Sequence, residues 1–163
     1  MRRIAFLAPL AAALAVSGAA AAQPSAVVVT VSPDFAKTAQ ELGDRDVQQQ
    51  VSDLTRTVER VLTDRHALDG ARVELVITDL KPNRPTMQQL GDKPGLDGMR
   101  SLSIGGAAVE GSVTMASGEV QPVKFDYYPP TLADARGSTT WTDAQRAYDR
   151  LARNLAEGRF VKR

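Results

Sequence analysis

The chain has 163 residues, with no cysteine, one histidine, and 20 basic against 19 acidic side chains. The missing cysteines exclude disulfides, thiol chemistry and cysteine-ligated metals, and the net charge of +1 lacks the basic excess of nucleic-acid-binding proteins. Since one imidazole is available and no carboxylates have calcium-loop spacing, we expect no metal site and no cofactor.

Residues 1–22 have the pattern of a cleavable secretory signal peptide. Two arginines give a positive start, an apolar run follows over residues 4–16, and Ala20-Ala21-Ala22 directly before Gln23 provides the small residues that signal peptidase requires. The apolar run is shorter than the roughly 20 residues that a membrane-spanning helix needs. We therefore predict cleavage after Ala22, a periplasmic or secreted location, and no stable membrane anchor after cleavage.

The remaining residues, 23–163, suit a single globular domain. Residues 27–31 are β-branched without alternation, which is typical of a strand covered on both faces, and we expect it at the centre of a sheet. Ser32 and Pro33 fit the N-cap and the first position of a short helical turn through Phe35.

A long amphipathic helix is predicted to begin near Asp44, which can cap it, and to close at Asp69-Gly70. The next strand covers residues 72–78 and follows a strand-helix-strand crossover, so the two strands should be parallel. The apolar stripe of the helix consists of Val47, Val51, Leu54, Val58 and Val61.

Residues 79–100 contain three prolines and three glycines with little periodicity, which predicts a long loop without regular structure. Loops of this length are uncommon in compact domains unless they are mobile or functional, so this loop is the first candidate site. We expect it to be ordered by five apolar side chains, each contributing about 1.5–3 kcal/mol if fully buried. They are Leu80, Met87, Leu90, Leu96 and Met99.

A hairpin is predicted after the loop. The apolar positions are even-numbered at Leu102 and Ile104 and odd-numbered from Val109 onward, which a β-bulge near Gly105-Gly106 would explain. The turn lies at residues 117–118, and Pro122 favours the edge of a sheet for the strand that follows.

The last element is a helix that Thr140 is expected to cap, with Asp143 reaching back and Gly158 ending it. Its buried stripe consists of Ala144, Tyr148, Leu151, Ala152 and Leu155. The element order of strand, helix, strand, strand, strand and helix predicts an α+β fold. We expect a mixed four-stranded sheet with two main helices packed on it.

Four stretches resemble small exported proteins of Gram-negative bacteria. They are residues 79–86 (DLKPNRPT), 89–96 (QLGDKPGL), 103–107 (SIGGA) and 140–144 (TWTDA). The resemblance implies a periplasmic protein of an uncharacterised family, and it supplies no activity, catalytic residue or ligand.

The candidate binding residues are polar or aromatic side chains of the long loop and of the loop before the last helix. The interpretation we favour is a non-enzymatic module that contacts another envelope protein through residues 79–100 and the adjoining hairpin. The alternatives are a glycan or small-ligand binder, because aromatic faces stack on sugar rings, and an enzyme that uses His66 with Asp64 or Asp69. The oligomeric state stays open. The candidate binding residues are Asn83, Arg84, Lys93, Tyr128 and Trp141.

Overall fold

In the computed structural model, which describes residues 24–135 and 137–161, four strands form one sheet. They are Ala26–Val31 (β1), Arg72–Lys81 (β2), Gly106–Thr114 (β3) and Val120–Tyr127 (β4). Their order across the sheet is their order in the chain, with β1 parallel to β2 and the other neighbours antiparallel. The predicted α+β class, parallel crossover and hairpin are confirmed, whereas residues 1–22 lie outside the described residues.

Four helices of the described chain accompany this sheet, and the two longest pack on it. The four are Ala36–Leu42 (α1), Asp44–Asp64 (α2), Met87–Asp92 (α3) and Thr142–Ala156 (α4), with 3-10 turns at Pro33–Phe35 and Leu132–Ala135. α2 contacts β1 and α4 contacts β3 and β4, and the two helices also contact each other, so the core lies between them and the sheet. All five stripe residues predicted for α4 are buried, and so are those of α2 except the partly exposed Val51. None of the described helices has the length and apolar composition that crossing a membrane requires.

The prediction that the first strand lies at the centre of the sheet is wrong, because β1 is an edge strand. Its valines on the core side are only partly buried, and the Val28 side chain, on the open face, is 38% exposed. β-branched residues favour a pleated strand whether or not its second face is covered. The composition therefore identified a strand and not its position.

The bulge predicted near Gly105-Gly106 is not found in the described pairing of β3, and a bulge lies on the neighbouring strand β2 instead. The register between β2 and β3 shifts between Ile77 and Asp79, so Thr78 is the extra residue. Residues 102–105 precede β3, which begins at Gly106. The apolar positions therefore switch where an irregular segment enters a strand, and the expected bulge near the glycines is absent from the described pairing of β3.

The long irregular loop that we expected is partly regular. β2 continues to Lys81, and α3 follows at Met87–Asp92. Thr86 and Gln89 form a capping box at its start: Thr86 Oγ1 accepts the Gln89 N–H at 3.2 Å, and Gln89 Oε1 accepts the Thr86 N–H at 3.1 Å. The spacing of Thr86 and Gln89 is therefore the feature of the sequence that indicates this helix.

The five apolar side chains expected to hold this segment down do not share that role. Leu80 is 1% exposed and Leu90 is half-buried, whereas Met87 and Met99 are each 79% exposed and Leu96 is 37% exposed. The expectation is wrong for the last three residues. Polar contacts, described below, take their place.

The helix caps also differ from expectation. α2 begins at Asp44 as predicted, but the N-cap position is Gly43, and no side chain accepts a hydrogen bond there. α4 begins at Thr142 without a capping bond from Thr140. Ser32 caps the first turn and Gly158 follows the end of α4 with a φ of 70°, as predicted.

Candidate functional site

A groove of about 420 Å³ opens beside α3, between this helix and the chain that leads into β3. We call it the 81–104 groove. Its lining combines apolar and proline side chains with two lysines and contains no acidic residue. The lining residues are Lys81, Pro82, Pro85, Gln89, Lys93, Leu96, Ser101, Leu102, Ser103 and Ile104.

Asn83 holds one side of the groove in place. It is fully buried, and every polar group that it carries forms a hydrogen bond. Its backbone N–H donates to the Thr140 carbonyl at 2.8 Å, and its carbonyl accepts the Ser103 N–H at 2.9 Å. Its side-chain oxygen accepts the Asp143 N–H at 2.9 Å. Its amide donates to the Asp143 carboxylate and to the Ser103 carbonyl. Asn83 thus joins the groove segment to the start of α4.

Asp143 is the other half of this buried contact. Its side chain is fully buried, and burying a carboxylate is costly unless it is paired. The Asn83 amide and the Arg146 guanidinium, at 2.8 Å, both donate to it. Its position in the first turn of α4 adds the favourable interaction of a negative charge with the helix N-terminus. Asp143, expected to reach back as a cap, is therefore a buried anchor.

Arg84 fastens the far end of the same segment. Its Nε donates to the Ser138 carbonyl at 2.6 Å, and its Nη1 donates to the carbonyls of Gly98 and Met99. One guanidinium thereby connects residues 98–99 to the loop before α4. The sequence did not reveal this contact, because the acceptors are backbone carbonyls distant in the chain.

The glycine pair at the start of β3, Gly105 and Gly106, lets neighbouring groups approach closely. A Cβ on Gly105 would lie 2.6 Å from the Asn83 side-chain oxygen. A Cβ on Gly106 would lie 2.2 Å from the Tyr127 carbonyl and 2.5 Å from the Tyr128 ring. Close packing therefore accounts for both glycines.

Three large apolar side chains stand exposed on the segment that Asn83 and Arg84 fasten. They are Met87, Leu96 and Met99, and we call them the methionine surface. Seven large apolar residues are exposed across the described chain, and three of them lie within these few residues. Of the three, Leu96 lines the 81–104 groove, whereas Met87 and Met99 lie outside its lining. Methionine is flexible and polarizable, and exposed apolar side chains on an anchored segment are available to a partner.

The two lysines of the groove make contacts that a ligand can replace. Lys93 Nζ lies 3.1 Å from Glu41, and Lys81 Nζ lies 3.5 Å from Asp79. Lys81 also lies over the Tyr128 ring, 5.0 Å from its centre. Exposed ion pairs of this kind contribute only about 0–1 kcal/mol, so either lysine can exchange its partner at little cost.

Tyr128 and Trp141 form hydrogen bonds with different residues, and no described contact brings their side chains together at the groove. The Tyr128 hydroxyl donates to Asp79 at 2.6 Å, and burial together with this bond raises the pKa of Tyr128. Trp141 is only 8% exposed, and its indole N–H donates to Asp46 at 3.0 Å. Trp141 therefore connects the start of α4 to α2.

Of the five candidate binding residues, Lys93 lines the groove and the remaining four make intramolecular contacts around or away from it. Asn83 and Arg84 hold the chain that lines the groove in place. Tyr128 does not line the groove, but its ring contacts Lys81, which does. A ligand in the groove can touch Lys93 directly, whereas Asn83 is reached only after rearrangement.

His66 lies just after α2, exposed, with a φ of 50°. Asp64 and Asp69 are exposed as well, and within residues 24–135 and 137–161 the His66 imidazole makes no hydrogen bond or ion pair. The same part of the chain has no group of three histidine or acidic side chains that could hold a metal ion.

Comparison with known proteins adds no relative: no family model, no curated protein and no solved structure matches the chain. The groove, the methionine surface and their charges are therefore the basis for a functional proposal.

Proposed function

We propose that the protein is exported to the bacterial envelope and there binds an extended segment of another protein in the 81–104 groove. The partner segment carries apolar side chains, which pack against the methionine surface, and at least one carboxylate. The predicted signal peptide of residues 1–22 supports export, and the exposed apolar side chains support binding.

The observation that carries the proposal is that Met87 and Met99 are each 79% exposed on a segment anchored by buried polar contacts. Leaving such side chains in water forgoes about 1.5–3 kcal/mol for each that a partner could fully bury. Because Asn83 and Arg84 already fix the backbone beneath, a partner has little ordering cost to overcome.

The charge of the groove supports an acidic partner segment. Lys81 and Lys93 line it without any acidic lining residue, and their present pairs are exposed and weak. A carboxylate of the partner can replace Asp79 or Glu41 without leaving a buried charge unpaired. Complementary charges of this kind set specificity and register more than affinity.

The alternatives have less support. Stacking on a sugar ring needs an accessible aromatic face, whereas Trp141 is 8% exposed and bonded to Asp46. An enzyme using His66 needs a partner that orients the imidazole, and among the described residues neither Asp64 nor Asp69 forms a hydrogen bond or an ion pair with it.

Photocrosslinking in cells tests the proposal. A photoreactive residue is placed at Leu96 or Met99, and at Gln145, an exposed position on α4, as the control. We expect adducts of one defined mass at the first two positions and none at Gln145. The crosslinked partner peptide, mapped by mass spectrometry, should contain an acidic residue beside apolar ones.

The charge requirement has its own control. Lys81→Glu with Lys93→Glu should abolish the adduct, whereas Lys37→Glu on the exposed face of α1 should leave it intact. Adducts that form equally at Gln145, or that survive reversal of both groove charges, would contradict the proposal.

A further inference from the structure

We propose that two copies of this chain pair through the outer edge of β1, joining two four-stranded sheets into one continuous sheet. This self-association is independent of the partner-binding proposal, because no residue of β1 lines the 81–104 groove.

The outer edge of β1 is open. Among the described residues β1 pairs with β2 alone, so its other side presents backbone N–H and C=O groups that an added strand can bond. Proteins usually protect such an edge with a charge, a proline or a bulge. Ala26–Val31 has no charged residue and no proline, and its register with β2 is unbroken.

The opposite edge of the same sheet is protected. β4 contains Pro122 and Lys124, and the C-terminal segment lies along it. The Lys124 N–H donates to the Phe160 carbonyl at 2.9 Å, and Lys124 also forms a bridge with Val161. The contrast between the two edges indicates that β1 is available for a strand in a way that β4 is not.

The core beneath β1 is incompletely covered. Val27, Val29 and Val31 pack against the core but remain partly exposed, whereas their partners on β2 are at most 1% exposed. These partners are Val73, Leu75 and Ile77. A further strand of apolar, uncharged residues beside β1 would cover the three valines.

A second copy of β1 is such a strand. Pairing it antiparallel about a two-fold axis presents the same patch from both sides, as symmetric dimers require. With no charge in β1, the two copies do not repel each other. Residues opposed across the axis must face the same side of the joined sheet, so the axis passes through Val28 or through Val29, and five of the six residues overlap.

The helix above β1 is compatible with this arrangement. A groove of about 510 Å³ beside the start of β1 is lined by α2 residues of both signs, including Arg56, Glu59 and Arg60. Two copies of α2 brought together at this edge can therefore pair unlike charges instead of opposing like ones.

Sedimentation equilibrium tests the dimer, using protein expressed from the full-length chain. We expect a reversible dimer, and we expect Val28→Lys to raise its dissociation constant at least about tenfold, because two lysines then meet near the axis. Val120→Lys is the matched control, since Val120 lies on the same open face at the opposite edge and is 58% exposed. A monomeric wild type, or a Val28→Lys variant that dimerises as well as wild type, overturns the proposal.

Cysteine crosslinking gives a second measurement that does not depend on the lysine variant folding. Because the chain has no cysteine, Val28→Cys supplies the single thiol. A short bifunctional maleimide should link two Val28→Cys chains and leave Val120→Cys chains unlinked. Failure to link through position 28, or equal linking through position 120, contradicts pairing through β1 and leaves an added strand from another protein as the alternative.

Discussion

The side-chain oxygen of Asn83 accepts the backbone N–H of Asp143 at 2.9 Å, although the two residues lie 60 positions apart in the chain. α4 is thus capped by a residue just beyond the end of β2, and no side chain adjacent to the helix caps it. The same contact fixes the start of the 81–104 groove. Stability of the C-terminal helix and geometry of the candidate site are therefore coupled through one amide.

Removing that amide should be costly. We expect Asn83→Ala to lower the free energy of unfolding by about 3 kcal/mol, because it leaves the buried Asp143 carboxylate with Arg146 as its donor and removes the side-chain partner of the Asp143 N–H and of the Ser103 carbonyl. Asn154→Ala is the control: Asn154 accepts from Arg159 at an exposed site, and its loss should cost less than about 1 kcal/mol. Urea unfolding measures both, and equal losses would show that Asn83 has no special role.

Gly105 should tolerate no side chain. A Cβ there would lie 2.6 Å from the Asn83 side-chain oxygen, and Asn83 cannot move without breaking its own bonds, so we expect Gly105→Ala to destabilise by about 1–3 kcal/mol. Gly91 lies in α3 with open space around its Cβ position. Gly91→Ala should therefore be neutral or stabilise by up to about 1 kcal/mol through helix propensity. Thermal unfolding separates the two, and a harmless Gly105→Ala contradicts the packing described here.

The groove segment should be ordered by Arg84 more than by its apolar side chains. In hydrogen exchange we expect the amides of residues 87–96 to exchange more slowly than those of an unstructured peptide. Arg84→Gln removes donors to three carbonyls and should speed exchange over residues 97–101. Arg100→Gln is the control, because the side chain of Arg100 is exposed. Unchanged exchange in Arg84→Gln would show that other contacts order the segment.

The buried Tyr148 and the half-buried Tyr128 should make the fold sensitive to alkaline pH. Burial raises the pKa of Tyr148, and burial with the bond to Asp79 raises the pKa of Tyr128. Folding therefore favours the neutral phenols, so their contribution to stability is present below pH about 10 and declines as pH rises above it. We expect Tyr128 and Tyr148 to titrate late, together with unfolding, in an absorbance titration in which Tyr128→Phe and Tyr148→Phe assign the two signals. Titration of both near pH 10 in the folded protein would contradict this.

The sequence predicted elements better than positions. Period and composition were enough for β2, α2, the hairpin and α4, because each buries an apolar face against the core. The place of β1 at the edge was not predictable in this way, since β-branched residues fit edge and central strands alike. Thr86 and Gln89 have the spacing of a capping box, which indicates a helix. We nevertheless did not predict α3, because the prolines and glycines nearby favour a loop.

The sequence singled out residues 79–100 for their prolines and glycines. Six of the ten lining residues of the 81–104 groove lie in that segment, and four follow it. Which side chains are exposed depends on contacts that cross the fold, such as Arg84 with the Ser138 carbonyl. No local pattern encodes such a contact, so the exposure of Met87 and Met99 became visible only in the structure.

Binding of a partner through the methionine surface is tested most directly by titrating the partner segment, identified by crosslinking at Met99, into the purified protein. We expect the double variant Met87→Asp with Met99→Asp to raise the dissociation constant at least about tenfold, which corresponds to about 1.4 kcal/mol of binding free energy. Leu132→Asp, a change at another exposed apolar position, should leave it within about twofold. An unchanged affinity in the methionine variant, or an equal loss in Leu132→Asp, would contradict binding at this surface.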